Sequence, residues 1–122
     1  MRIDVVFIGT GLVFLIAGIS FGGWVGATSH FQYADAHAHL NLLGFVVPTL
    51  YGLIYRCYPN LARSGLVWPQ YIGHFVGVLI FVPGLVLVTQ TGSPVVLIPG
   101  AVLVLLALLT FAFIFFTRIK SD

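Results

Sequence analysis

Charge is what this sequence has least of. Only 7% of its 122 residues are Asp, Glu, Lys or Arg, whereas a soluble domain carries about a quarter, because most of its surface faces water. A soluble globule is therefore excluded. Glutamate is absent, and the three acidic residues, Asp4, Asp35 and Asp122, all lie outside the apolar runs, which argues against carboxylate acid–base chemistry within a membrane. The single cysteine, Cys57, has no Cys-x-x-Cys partner and no neighbouring His. Disulfide frameworks are excluded, and Cys57 reads as a structural residue. Six prolines in a strongly apolar chain fit neither disorder nor a collagen-like repeat. No Gly-rich loop carries a Lys for phosphates, and five scattered basic residues with a net charge of +2 make no patch for nucleic acid.

What is present is apolar sequence: 60% of residues are hydrophobic and the mean hydropathy is +1.12. Four runs, at about residues 5–27, 36–56, 68–88 and 95–117, are each long enough to cross a hydrocarbon layer of ~30 Å as a helix. The first is not expected to be a signal peptide, since its single Arg is offset by Asp4, its apolar run is too long and Gly26-Ala27-Thr28-Ser29 is a poor cleavage site. Arg2, Arg56, Arg63, Arg118 and Lys120 all fall on one side of this map. The bias of basic residues toward the cytoplasm then places both termini inside and residues 28–36 and 89–94 outside. Trp24, Phe31 and Tyr33 match an outer aromatic belt, and Tyr55, Tyr58, Trp68 and Tyr71 an inner one. The expected fold is all-α: an integral membrane four-helix bundle, N-in/C-in, with residues 1–122 forming a single domain. A short chain without a transit peptide points to a prokaryotic inner membrane.

Local signals predict helix ends and bends. Asp35 is expected to cap span two, Pro69 to sit in the first turn of span three, and Ser93-Pro94 to open span four after a polar turn at residues 89–94. Pro48 and Pro83 predict kinks. Gly11, Gly18, Gly22 and Gly26 form a stripe of small residues on span one, which favours close helix packing, with approach to a porphyrin as the alternative. Phe111, Phe113, Phe115 and Phe116 read as packing or lipid-facing surface.

The chemistry left to this chain is that of histidine. His37 and His39 open span two, and residues two apart on a helix point about 200° away from each other. They do not readily chelate one metal together and address two different neighbours. Wet interfacial imidazoles are the alternative, but the pair is followed by Asn41 and by Gly44, two turns on from His37, where a missing side chain would admit a flat macrocycle. His74 is expected roughly 9 Å above the inner end of span three and roughly 12–15 Å from the His37 level. It should bond Tyr51, Tyr55 or a backbone carbonyl, with a second haem contact or a quinone site as the sharper reading. His30, in the outer loop, reads as a solvated residue, a haem propionate partner or a copper ligand.

The segment Tyr33-Ala34-Asp35-Ala36-His37-Ala38-His39-Leu40 resembles the tenth helix of the catalytic subunit of haem-copper oxidases and nitric oxide reductases. There an Ala/Gly-His-x-His motif opens an outside-to-inside helix, and its two histidines ligate two haems on opposite faces. The resemblance implies that His37 and His39 are axial ligands of haem b, with Asn41 and Gly44 beside them. That family builds twelve helices in three arcs of four, so the resemblance also implies that this chain is one arc, completed as a homotrimer with haem in inter-subunit pockets. The family's copper-site His-Pro-Glu-Val-Tyr and His-His motifs are absent, as is its outer Arg pair, which leaves propionates to water, Thr28, His30, Gln32 or Gln90. The expected function is electron transfer or the handling of oxygen or nitric oxide by a membrane oxidoreductase, with a diatomic gas, a quinone or an electron-donor protein as partner. One alternative is a copper-binding or oxidase-assembly membrane protein using His30, His37 and His39 at the periplasmic mouth. The other is a cofactor-free structural subunit.

Overall fold

Lipid offers a backbone no hydrogen-bond partner, so an apolar run that enters it must satisfy its own N–H and C=O groups, and a helix does so. The computed structural model describes residues 2–121. Four of its helices are long and apolar enough to cross a membrane: Ile3–Thr28, Phe31–Cys57, Val67–Thr91 and Leu97–Arg118, here spans one to four. No strand occurs among the described residues. A short helix, Pro59–Ala62, joins spans two and three, and a 3₁₀ turn, Ile119–Ser121, follows span four.

The helices differ from the expected bounds by up to about five residues at their ends. Span two opens earlier, with a 3₁₀ turn at Phe31–Tyr33, so Asp35 lies in the first turn of the α-helix Ala34–Asn41 and makes no capping bond there. Span three runs through the expected turn as far as Thr91. The hydroxyls of Thr89 and Thr91 bond back to the carbonyls of Leu85 and Leu87 at 3.0 and 2.8 Å, and Gly92 ends the helix with φ 75°. Pro69 sits in the first turn as expected, and Pro83 is carried inside a continuous helix. Span four begins at Leu97, beyond Pro94.

The helices run up and down, with both described chain ends and the Arg56–Arg63 connection at one end, the basic end, and His30, Tyr33 and Gln90 at the other, the histidine end. Spans one and two pack as one hairpin and spans three and four as another. In the second hairpin the backbones almost touch. A Cβ on Gly100 would lie 2.5 Å from the Phe81 nitrogen, and one on Gly84 would lie 2.6 Å from the Leu97 Cα. Such contact is how membrane helices gain dispersion energy where the lipid is as apolar as the side chains.

The hairpins join around Phe7, whose ring centroid lies 5.3 to 6.1 Å from those of Tyr51, Tyr55, Tyr71 and Phe75. Two hydrogen bonds brace this aromatic core: Thr10 with Tyr71 at 2.7 Å, and the Tyr55 hydroxyl donating to Gln70 at 2.8 Å. At the basic end Asn60 and Arg118 clamp each other, each side chain donating to the other's backbone carbonyl.

The expected stripe on span one splits. A Cβ at Gly11, Gly18 or Gly22 would meet span two, whereas one at Gly26 would meet nothing within 4 Å. Gly100→Ala is therefore expected to destabilise the bundle by about 1–3 kcal/mol, since backbone must shift to admit the methyl group, whereas Gly26→Ala should be neutral or slightly stabilising. Reversible unfolding in mixed micelles, followed by circular dichroism, checks the pair.

Candidate functional site

Span two is not a uniform helix. Between the α-helices Ala34–Asn41 and Val47–Cys57 it widens into a π-helical turn, Leu42–Val46, just before Pro48. There the Val47 N–H bonds to the Leu42 carbonyl, five residues back. The Leu43 carbonyl would ordinarily take that donor, and the next in line, Pro48, has no N–H. Leu43 is thus left with a carbonyl that its own helix cannot serve. His74 of span three serves it, with Nε2 2.6 Å from the Leu43 oxygen. Because a carbonyl only accepts, His74 is protonated at Nε2. Its ring is fully buried, standing edge-on to Tyr51 and Phe75, and its Nδ1 has no partner among the described residues. His74 is a bridge between spans.

His37 is placed by a glycine. Its imidazole lies over Gly22 of span one, where a Cβ would come within 2.3 to 2.8 Å of three ring atoms. Gly22 therefore opens the way to the carbonyl one turn below, and His37 Nδ1 lies 2.9 Å from the Gly18 oxygen. Nδ1 must be the protonated nitrogen, which leaves Nε2 with its lone pair free. Asn41, one turn further along span two, presses onto Gly18, where a Cβ would fall 1.7 Å from its side-chain oxygen. That oxygen is buried without a partner.

His39 takes the other direction. Its Nδ1 donates to the Asp35 carbonyl of its own helix at 2.8 Å, and its ring packs against Phe81 of span three with centroids 5.4 Å apart. The two histidines thus face two different helices, as their spacing requires, and among the described residues neither Nε2 has a protein hydrogen bond. His30 stacks on Trp24 at 4.6 Å and donates from Nδ1 to Thr28, whose own hydroxyl proton goes to the Trp24 carbonyl.

The structure does not gather these imidazoles. No group of three or more His, Cys, Asp or Glu side chains is drawn together among the described residues, His30, His37 and His39 included. The space expected at Gly44 for a macrocycle holds Phe14 of span one, 2.8 Å from where a Cβ would stand. Gly44 serves helix packing. A cavity of about 220 Å³ at the histidine end is walled by Phe21, Trp24, Tyr33, Val86 and Gln90, and neither His37 nor His39 lines it. Comparison of the chain with family models, curated proteins and solved structures finds no match.

His74 bonds a backbone carbonyl, one of the partners the sequence suggested; what the sequence did not say is which one, and the signal for Leu43 was Pro48 five residues later. Sequence reading missed the Tyr55–Gln70 and Thr10–Tyr71 bonds, which no motif announces. His74→Phe should destabilise the protein by about 0.6 kcal/mol and by no more than about 1.7 kcal/mol, the average and the maximum for hydrogen bonds between membrane helices. Pro48→Ala supplies the missing N–H and lets the π-turn relax, so the double variant should lose less than the sum of the singles. A double-mutant cycle in unfolding free energy checks this, and strict additivity would refute the role assigned to the Leu43 carbonyl.

Proposed function

We propose that this chain is a haem b-binding membrane protein related to the catalytic subunit of haem-copper oxidases, in which Nε2 of His37 and Nε2 of His39 would each hold a separate haem, one on either side of span two. One observation carries the reading: both imidazoles commit Nδ1 to a backbone carbonyl and leave Nε2 open. Histidines that ligate metals use this arrangement, because the carbonyl fixes the tautomer, orients the ring and makes the free nitrogen more basic.

The donor set fits haem iron, and the walls come from elsewhere. His37 and His39 are both half-buried, and each needs a second surface to enclose a porphyrin. A neighbouring copy supplies it in a homotrimer of four-helix arcs, since a closed ring pairs two different faces and leaves no edge. The bias of basic residues orients the basic end toward the cytoplasm of a prokaryotic inner membrane and the histidine end toward the periplasm. Haem, if held by these residues, would supply a one-electron iron couple for electron transfer or for the binding of oxygen or nitric oxide.

This chain's own contributions are separable. The Gly18 and Asp35 carbonyls hold the two rings, Gly22 gives His37 its access, and Phe81 limits the swing of His39. Purified protein should show reduced b-type absorption bands. His37→Ala and His39→Ala should each lose part of the haem measured as pyridine haemochrome, and the double variant all of it, with insertion intact because Ala favours the helix. A haem content unchanged in the double variant sinks the proposal.

A further inference from the structure

At the basic end three arginines converge on one cavity. Arg2 precedes span one, Arg56 lies in the last turn of span two and Arg63 follows the short helix; with Asp4, Tyr55 and Trp68 they line a space of about 260 Å³. Asp4 organises it. Its carboxylate is buried, accepts from two nitrogens of Arg2, and lies 4.0 Å from a terminal nitrogen of Arg56. A guanidinium held by both oxygens of a carboxylate keeps a fixed orientation. Arg63 forms no ion pair among the described residues. The cavity therefore brings three positive charges against one negative. The Arg2 and Arg56 side chains remain 58% and 64% exposed, so their remaining donors are open to a ligand. Trp68, 38% exposed, marks this level as a lipid–water boundary.

We infer that this cavity binds a phosphate-bearing anion, the phosphodiester headgroup of an acidic lipid. Guanidinium forks match phosphate oxygens in pairs, and basic pockets between membrane helices take anionic headgroups in this way. The site lies at the opposite end of the bundle from His37 and His39 and stands whether or not these carry haem. Asp4 sets the spacing of Arg2 and Arg56, and Arg63 completes the charge.

The test uses the full chain in nanodiscs of phosphatidylcholine doped with phosphatidylglycerol or cardiolipin, with retained lipid read by native mass spectrometry. Acidic lipid should be retained in preference, and Arg63→Gln should reduce that preference about fivefold, the effect of one basic residue worth ~1 kcal/mol at a membrane surface. Arg56→Gln combined with it should reduce it further. Lys120→Gln, at the same end but outside the cavity, should change nothing, and circular dichroism checks that each variant is folded. A second arm titrates inorganic phosphate. Retention that resists phosphate supports the lipid headgroup, while phosphate binding without lipid preference keeps the site and assigns it the free anion. No preference together with no phosphate binding overturns the inference, as does an equal loss in Lys120→Gln and Arg63→Gln.

Discussion

A backbone carbonyl without a donor is the constraint around which this bundle is arranged. In lipid such a group cannot turn to water, and Pro48 with the π-turn before it leaves the Leu43 carbonyl unserved in mid-span. The His74 bond that answers it crosses from span three to span two and ties the two hairpins together. The aromatic core around Phe7 packs both sides of the same junction, and two of its rings, Tyr51 and Phe75, stand edge-on to His74. Small residues do the complementary work, because glycine notches bring backbones close enough for side chains of one span to reach carbonyls of another.

The same device sets up the candidate chemistry. Each of His37 and His74 bonds a carbonyl on a different span from its own, but through opposite nitrogens. His74 spends Nε2 and is sealed within protein, which suits a structural bridge. His37 spends Nδ1 and keeps the nitrogen that metals prefer, and His39 does so on the other side of the helix. The division between a packing histidine and two ligand candidates thus follows from tautomer and placement together, while residue type alone is the same in all three.

The four spans were legible because run length and hydropathy act over some twenty residues, and single exceptions do not change them. Their ends were less so: Thr89 and Thr91 look like turn residues yet satisfy their hydroxyls within the helix. The opposed directions of His37 and His39 were legible from helical geometry. Gly44 was misread, because a gap in sequence does not say what fills it, and Phe14 does. The π-turn left no periodic trace. The arginines were read for topology alone, since their convergence on Asp4 depends on how spans one and two and the following loop come together in space.

The most direct test of the central claim is nitrogen NMR of histidine-labelled protein in lipid, before and after addition of haem b. Without haem, His37 and His39 should be protonated at Nδ1 with a bare Nε2, and His74 should show the reverse. On addition, the Nε2 signals of His37 and His39 should move while those of His74 stay. Imidazoles that exchange tautomers like solvated side chains, or a haem that perturbs His74 and leaves His37 and His39 untouched, would contradict the account.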